Sequence, residues 1–263
     1  MGVPGPVRDV YAGLSTGYAQ RRRPDPRIAE RIEAALGTAR TVVNVGAGAG
    51  SYEPPGRRVL AVDPSPSMLA QRPAGAAPAV RASAEALPVA DDAADAALAV
   101  LTVHHWPDAG AGLAELRRIA PRQVVLTWDP DVMARFWLIA DHLPGIAAAE
   151  AGLATVDRVV AGLSTPGGSV TVETVPVPAD CTDGFLGAYW NRPECYLAPD
   201  RRAAISAFAR LPATAVRDAM RRLSDDLAGG RWDARHGQLR GLASIDLGYR
   251  LVTATRGAPP APP

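Results

Sequence analysis

Two adjacent histidines, His104 and His105, follow the apolar run at residues 96–103 and are the strongest candidates for proton transfer in the chain. An unperturbed imidazole titrates near pH ~6.5, so either ring could serve as a base at neutral pH. Side chains alternate in direction along a strand, and we expect only one ring to face a binding site. Asp129, after the next apolar run, could orient that ring. The pattern predicts a general base, with a structural role for both histidines as the alternative.

A glycine-rich turn and a carboxylate supply a second chemical signal. Gly46, Gly48 and Gly50 follow the apolar run that begins at Thr41. Glycine permits a sharp turn and leaves room for a ligand against the backbone. Asp63 ends the next apolar run, where it could accept hydrogen bonds from a ribose diol. These residues predict a nucleoside or nucleotide site.

Alternating apolar runs and helical segments must position these groups. Their order predicts an α/β fold, a doubly wound and mostly parallel sheet with right-handed crossovers and helices on both faces. Ligands of such sheets lie outside the carboxyl ends of the strands. The rule gathers five strand ends around one crevice: Gly46, Asp63, Ser83, His104 and Asp129. The predicted strands are 41–46, 58–63, 79–82, 96–103, 123–128, 169–177 and 244–255.

The rest of the chain suggests smaller divisions. Helical patterns cover 132–142 and 146–163, beyond the first five strands. The insertion between the last two strands is too long for a turn in a compact domain, which indicates a helical cap. The predicted divisions are N-terminal lid helices at 1–40, a core at 41–180, a helical cap at 181–241, a last core strand at 242–256 and a disordered tail at 257–263.

Composition excludes several classes of function. The 263 residues are 48% hydrophobic and carry a net charge of +1, so nucleic acid or an anionic membrane is not an expected partner. The chain has no lysine, which removes the lysine of phosphate-binding loops and Schiff-base chemistry. The absence of a membrane-spanning run and of signal-peptide features predicts a cytoplasmic protein. No metal site is expected, because no His, Cys and carboxylate grouping has the required spacing.

Four segments resemble the motifs of the class I S-adenosylmethionine-dependent methyltransferases that act on small molecules. They are residues 43–50, VNVGAGAG; 63–69, DPSPSML; 83–91, SAEALPVAD; and 101–108, LTVHHWPD. One Gly-x-Gly-x-Gly is a weak signal, whereas four motifs in the right order and spacing are specific. The likeness runs from about residue 11 to 129. It implies a Rossmann-like, seven-stranded sheet with S-adenosylmethionine as cofactor and S-adenosylhomocysteine as product.

The resemblance also implies cofactor contacts, residue by residue. The glycine turn would border the methionine part and the ribose, Asp63 would hold the ribose hydroxyls, and Met68 would pack near adenine. The family usually has Asp where this chain has Ser83, so the Ser83 hydroxyl, Glu85 or a water would accept from the adenine amino group. Arg23, in the lid, could pair with the methionine carboxylate. The implied set is Tyr11, Tyr18, Arg23, Gly46, Ala47, Gly48, Asp63, Pro64, Met68, Ser83, Ala84, Glu85, Leu101 and Thr102.

The acceptor side carries no motif. Aromatic side chains offer a large contact area to flat molecules, which makes five of them candidates for an acceptor pocket. The alternative is that some are ordinary core of the cap. The five are Trp106, Phe185, Tyr189, Trp190 and Tyr196. We expect a small-molecule acceptor, methylated on oxygen, nitrogen or carbon, and a protein that is a monomer or a homodimer.

The leading hypothesis is therefore methyl transfer to a small molecule of biosynthetic or secondary metabolism. The sulfonium already carries an activated methyl group, so the protein must hold the acceptor atom in line, roughly 3 Å away, and exclude water. An NAD(P)-dependent oxidoreductase is the first alternative, although Ser51 stands where its fingerprint needs a third glycine. The second is a non-catalytic, methyltransferase-like binding protein, which the departure at Ser83 motivates.

Overall fold

The computed structural model describes residues 21–257 and contains a seven-stranded sheet. The strands in chain order are β1 Thr41–Val45, β2 Arg58–Asp63, β3 Ala79–Arg81, β4 Ala96–Val100, β5 Arg122–Trp128, β6 Ser169–Thr174, β7 Val177–Pro178, β8 Ser244–Ile245 and β9 Tyr249–Thr255. The large sheet has the order β3-β2-β1-β4-β5-β9-β6. Its first five strands are parallel, while β9 is antiparallel to both β5 and β6. The predicted α/β class and mostly parallel, seven-stranded sheet are confirmed.

Helices surround this sheet, and short helical turns fill the loops. The α-helices are α1 Pro26–Leu36, α2 Pro66–Leu69, α3 Ala109–Ile119, α4 Pro130–Met133, α5 Gly145–Glu150, α6 Val156–Leu163, α7 Pro199–Arg202, α8 Ser206–Ala209, α9 Ala213–Ala228 and α10 Arg231–His236. The 3-10 turn Val103–His105 follows β4, and a π-helical turn covers Leu138–His142. The lid helix predicted before residue 21 and the tail after residue 257 lie outside the described residues. The predicted divisions of the chain stay predictions.

Both faces of the central strands are covered, as the apolar runs predict. On one face, α1 packs Ile28, Ile32 and Leu36 into a cluster that also contains Leu98 of β4. The opposite face of the sheet carries a second cluster. That cluster joins Val43, Ala97, Leu113, Leu116, Val125, Val159 and Leu163 from β1, β4, β5, α3 and α6. The sheet is thereby fixed from both sides, and its carboxyl edge is left to form a site.

Capping residues in the sequence determine where α1 begins and ends. Asp25 precedes the helix, and its side chain accepts a hydrogen bond from the Arg27 backbone N–H at 3.0 Å. Pro26 occupies the first turn, where the missing N–H costs nothing. Gly37 ends the helix at a φ of +57°, a conformation that favours glycine. The predicted helix at 26–36 therefore begins and ends where its capping residues require.

Several predicted elements are shorter than the sequence suggested. Turns rather than a helix follow β1, because Pro54 and Pro55 lack the N–H groups that a helix needs. β4 ends at Val100, since Leu101 takes a φ of +52°. The predicted strand at 244–255 is divided at Gly248, whose φ is +89°, so that β8 pairs with β7 and β9 joins the large sheet.

The two long helices predicted beyond β5 are also interrupted. The segment predicted at 132–142 contains the end of α4 and the π-helical turn, and the segment at 146–163 is divided between α5 and α6. Pro144 lies between the π-helical turn and α5. Because helices rarely continue through the residue before proline, this break carried its own sequence signal.

Candidate functional site

A cavity of about 1170 Å³ opens at the carboxyl ends of β1, β2, β4 and β5. It exceeds the range of roughly 300–1,000 Å³ that holds one small ligand. We call its two ends the turn end and the histidine end. The turn end is lined by Gly46, Ala47, Gly48, Asp63, Pro64, Met68, Ser83, Ala84 and Glu85; the histidine end by His104, His105, Trp106, Trp128, Met133, Glu150, Phe185, Ile205, Arg210 and Tyr249. The cavity therefore has room for a cofactor and an acceptor together.

Gly46 makes the tightest approach at the turn end. Its φ is +71°, and a Cβ atom placed there would lie 2.0 Å from the Thr102 hydroxyl oxygen. Its backbone N–H donates to the Val62 carbonyl at 2.8 Å, which fixes the turn against β2. Gly48 also has a positive φ of +52°. Glycine is required at residue 46 both for its backbone conformation and for lack of space.

Asp63 is the buried acid at the end of β2, and the backbone holds both of its oxygens. Oδ2 accepts the Gly48 N–H at 2.7 Å, and Oδ1 accepts the Ser65 N–H at 2.9 Å. The Ser65 hydroxyl in turn accepts the Met68 N–H at 3.2 Å and so caps α2. Asp63 is therefore a buried carboxylate at the cavity wall, and a carboxylate acts only as a hydrogen-bond acceptor.

The other cofactor residues implied by the resemblance gather at the same end. Met68 is buried on α2 with its methyl group beside Gly48. Glu85 accepts the Asp108 backbone N–H at 3.3 Å through one carboxylate oxygen. Leu101, which has a positive φ, and the adjacent Thr102 line the cavity as well. The structure thus brings together Gly46, Ala47, Gly48, Asp63, Pro64, Met68, Ser83, Ala84, Glu85, Leu101 and Thr102.

The arginine at the cavity is Arg22 rather than Arg23. Arg22 lines the cavity, and its Nε donates to Oδ1 of the buried Asp183 at 2.8 Å. Arg23 is exposed and is absent from the cavity wall. The choice of Arg23 rested on motif position alone, and the sequence carried no sign that Arg22 would pair with Asp183. Tyr11 and Tyr18 lie outside the described residues.

Both histidines face the cavity, contrary to the expected alternation. The alternation fails because residues 103–105 form a 3-10 turn instead of continuing the strand. The rings of His104 and His105 are 3.7 Å apart between centroids, and His104 lies 4.0 Å from the Trp128 ring. Burial lowers the pKa of His104 well below its ordinary value, and the neighbouring His105 and Arg210 lower it further. Burial and Arg210 lower the pKa of His105 to about 3. Both rings are neutral at pH 7.

The contact between His105 and Arg210 determines which ring nitrogen carries the proton. The His105 Nδ1 atom lies 2.9 Å from an Arg210 guanidinium nitrogen. A guanidinium only donates, so Nδ1 must accept, and the neutral ring carries its proton on Nε2. His105 is therefore a hydrogen-bond donor through Nε2 and a weak base. His104 is buried as well, and its Nδ1 atom has no hydrogen-bond partner in the described part of the chain.

Asp129 does not orient either imidazole, and its side chain is absent from the cavity wall. Its Oδ1 atom accepts the backbone N–H groups of Asp131 at 2.9 Å and of Val132 at 3.3 Å. These bonds cap α4, which begins at Pro130. An aspartate directly before a proline is a typical helix start, and this capping role takes the carboxylate away from the histidines.

The aromatic candidates fall into two groups. Trp106 and Phe185 line the cavity. Tyr189, Trp190 and Tyr196 do not, because they pack in a buried hydrophobic cluster. The fully buried Trp190 donates its indole N–H to the Val177 carbonyl at 3.1 Å, and Tyr196 donates its hydroxyl to the Leu186 carbonyl at 2.5 Å. For these three residues, the structure agrees with the alternative of ordinary core.

Sequence reasoning missed Glu150 and Arg210, which the fold brings to the histidine end from α5 and from the loop after α8. Burial raises the pKa of Glu150 to about 7, although Arg210 and a hydrogen bond from Trp128 act in the opposite direction. One local signal existed: Glu150 is the only charged residue in the otherwise small and apolar segment 145–153. Nothing in the sequence pointed to Arg210.

Within residues 21–257, no group of three or more His, Cys, Asp or Glu side chains could hold a metal ion. Over the same residues, no helix is long and apolar enough to cross a membrane. The cavity has a glycine-lined, carboxylate-bearing turn end and a histidine end that mixes aromatic rings with a few polar groups.

The chain is similar to known methyltransferases. Residues 43–126 match the family model described as a methyltransferase domain. A protein described as a methyltransferase from an antibiotic biosynthesis pathway of Anabaena variabilis ATCC 29413 is 31% identical, covers 90% of this chain and 99% of its own, and superposes with a TM-score of 0.84. No curated protein matches the chain.

More distant structures share the fold alone. Geranyl diphosphate C-methyltransferase from Streptomyces coelicolor A3(2), solved with Mg²⁺, geranyl diphosphate and S-adenosylhomocysteine, is 17% identical, with 87% of this chain and 79% of its own covered and a TM-score of 0.50. The YcgJ protein of Bacillus subtilis is also 17% identical, with 89% and 99% covered and a TM-score of 0.53.

Proposed function

We propose that this chain, which belongs to the class I S-adenosylmethionine-dependent methyltransferases, moves the methyl group of S-adenosylmethionine to a small organic acceptor. The cavity at the carboxyl edge of the sheet would hold both molecules, the cofactor at the turn end and the acceptor at the histidine end. A role in biosynthetic or secondary metabolism is part of the proposal, supported by the antibiotic-pathway description of the Anabaena relative.

The observation that carries the proposal is that Gly46 and Asp63 lie together at the turn end of the cavity. Thr102 occupies the space where a side chain at residue 46 would lie, and Gly46 itself lines the cavity. Asp63 stands beside the turn, and backbone N–H groups fix the position of both of its oxygens at the cavity wall. A carboxylate that only accepts hydrogen bonds suits a sugar diol. The residues present therefore fit the nucleoside part of the cofactor.

The chain's own residues would contribute position and enclosure. Bound S-adenosylmethionine supplies an activated methyl group on a positively charged sulfur, so no protein nucleophile is needed. Met133, Phe185 and Ile205 give the histidine end an apolar wall that can exclude water. Holding the acceptor atom in line with the methyl carbon converts a bimolecular reaction into an effectively unimolecular one. Enclosure and alignment are the two contributions that the cavity supports.

A direct test is to incubate the purified protein with methyl-labelled S-adenosylmethionine and a panel of small hydroxyl, amine and acidic-carbon acceptors. We expect S-adenosylhomocysteine and a product that has gained one labelled methyl group. Glu173, exposed on β6, provides a control site for substitution away from the cavity. Binding of S-adenosylhomocysteine without turnover of any acceptor would support the non-catalytic alternative, and nicotinamide binding in its place would support the oxidoreductase.

A further inference from the structure

We propose that Glu150 accepts a proton from a hydroxyl-bearing acceptor and that Arg210 stabilises the oxyanion that forms. The inference rests on the proposed function, because it names the base and the acceptor class for the same cavity. It starts from a buried carboxyl group that no motif predicted.

Glu150 is the last residue of α5, and its side chain lines the histidine end while only 6% of its surface is exposed. No basic side chain lies within ion-pairing distance of it among residues 21–257. Such a carboxyl group is costly to bury, because its charged form loses hydration without gaining a paired cation. A site that keeps an unpaired carboxyl group in an apolar wall is a candidate for proton transfer.

The groups that face Glu150 come from three other elements. Trp128, at the end of β5, donates a hydrogen bond to its carboxyl group, and Arg210 exerts an electrostatic effect from the loop after α8. Tyr249 of β9 lines the same part of the cavity and is near enough for Glu150 to raise its pKa. None of these groups neutralises the carboxylate by direct pairing. Burial therefore dominates and raises the pKa of Glu150 to about 7, which is where a general base works at neutral pH.

The histidines are less suited to the same task. His105 uses Nδ1 to accept from Arg210 and presents a proton on Nε2. Protonating His104 or His105 would add positive charge beside Arg210, which already lowers the pKa of both rings. Among the described residues at this end, Glu150 is the remaining group that can take a proton without creating a second cation.

The charge around the histidine end favours an acceptor that becomes negative. Arg210 forms no ion pair within the described part of the chain, whereas the charge of Arg22 is balanced by Asp183. Arg210 is half-buried, and a guanidinium without an ion-pair partner attracts an oxyanion and repels an ammonium group. A phenol, enol or other weakly acidic hydroxyl fits this charge better than an amine.

The step balances without a further reactant. The acceptor O–H bond breaks and its proton passes to the Glu150 carboxylate. An oxygen lone pair forms the new bond to the methyl carbon while the carbon–sulfur bond breaks, and that electron pair stays on sulfur. The products are a methyl ether, a neutral thioether and a protonated Glu150, which returns its proton to solvent.

The test uses 4-nitrophenol as the probe, with 4-nitroaniline as the matched analogue that cannot form an oxyanion. Each is titrated calorimetrically into the full chain saturated with S-adenosylhomocysteine, at pH 8, in buffers that differ in ionisation enthalpy. We expect 4-nitrophenol to bind at least tenfold more tightly than 4-nitroaniline, because Arg210 attracts its oxyanion. We also expect the complex to take up about one proton on binding, because the phenolate and the Glu150 carboxylate would otherwise be two adjacent anions. The proton uptake should vanish in Glu150→Gln and persist in the surface control Glu173→Gln.

Arg210→Met gives an independent readout. It should weaken 4-nitrophenol binding at least tenfold while leaving 4-nitroaniline and S-adenosylhomocysteine binding unchanged. The proposal is overturned if 4-nitroaniline binds as tightly as 4-nitrophenol, if neither probe binds, or if Glu150→Gln takes up as many protons as the wild type. In each of these cases normal S-adenosylhomocysteine binding leaves the proposed function intact, whereas loss of that binding in the wild type rejects the proposed function itself.

Discussion

The Oδ2 atom of Asp63 lies 2.7 Å from the Gly48 backbone nitrogen, so the acid that ends β2 is tied to the turn that follows β1. The two strands are already neighbours in parallel register, with Val45 opposite Val62. The side-chain bond extends that pairing beyond the end of the strands, and it fixes one wall of the cavity before any ligand arrives. A preorganised wall lowers the ordering cost of binding.

Replacing Gly46 with alanine tests the space at the turn. Gly46→Ala would place a Cβ atom 2.0 Å from the Thr102 oxygen, while Gly56→Ala has almost the same φ, +72°, and nothing within 4 Å. Both changes carry the cost of a left-handed residue, about 1–2 kcal/mol. We expect Gly46→Ala to lose about 1–3 kcal/mol more in free energy of unfolding, because of the collision, and at least tenfold in affinity for S-adenosylhomocysteine. Urea unfolding and calorimetry measure these two quantities, and equal results for the two variants would contradict the account.

Glu150→Gln should stabilise the protein in a pH-dependent way. The pKa of Glu150 is raised from 4.5 to about 7, so the folded state binds more protons than the unfolded state between those values. Stability of the wild type therefore falls as pH rises through that window, and the full cost, on the order of 3 kcal/mol, is present above pH ~7. We expect the variant to match the wild type at pH 4.5 and to exceed it at pH 8.

Chemical denaturation of Glu150→Gln and the wild type across pH 4–8 measures this difference directly. Because both proteins share every other titrating group, subtracting the two curves isolates Glu150. A stability difference that does not change with pH would show that the carboxyl group is not held in its buried environment. Glu173→Gln, on the exposed strand β6, serves as the control for the substitution itself.

Tyr196→Phe tests whether the cap aromatics are core. The Tyr196 hydroxyl is buried and donates to the Leu186 carbonyl, so its removal loses one buried hydrogen bond. We expect a loss of about 0.5–1.5 kcal/mol in free energy of unfolding and no change in 4-nitrophenol affinity. Tyr189→Phe is the matched control, because no hydrogen bond of its hydroxyl is found among the described residues. A large change in 4-nitrophenol affinity with unchanged stability would show instead that Tyr196 contributes to the acceptor pocket.

The turn end of the cavity and the sheet could be predicted, because short stretches of sequence determine both. A glycine turn between two apolar runs and an acid at the end of the second run specify the turn end almost alone, and Gly46, Gly48 and Asp63 lie where the pattern placed them. The sheet follows for the same reason, since buried parallel strands read as continuous apolar runs.

The histidine end could not be predicted in the same way, because its residues meet only when distant segments pack. Arg210 reaches His105 across a separation of 105 positions, and Glu150 comes from another helix. Asp129 shows a different cause of error: a strand-end carboxylate was assigned to catalysis, although the following proline marked it as a helix cap. The buried aromatics carried no periodic pattern that separates a pocket wall from a core.

Calorimetric titration of S-adenosylhomocysteine into the wild type, Asp63→Asn and Asp95→Asn tests the central claim most directly. Asp95 is a matched control, because its Oδ2 atom accepts two backbone N–H groups, from Arg40 and Thr41 at 2.8 Å each, at the amino end of the sheet away from the cavity. We predict saturable binding to the wild type and Asp95→Asn, and binding at least tenfold weaker to Asp63→Asn, which loses a charge-assisted acceptor worth about 1.5–3 kcal/mol. Absence of binding to the wild type, or equal affinity in Asp63→Asn, would contradict the account.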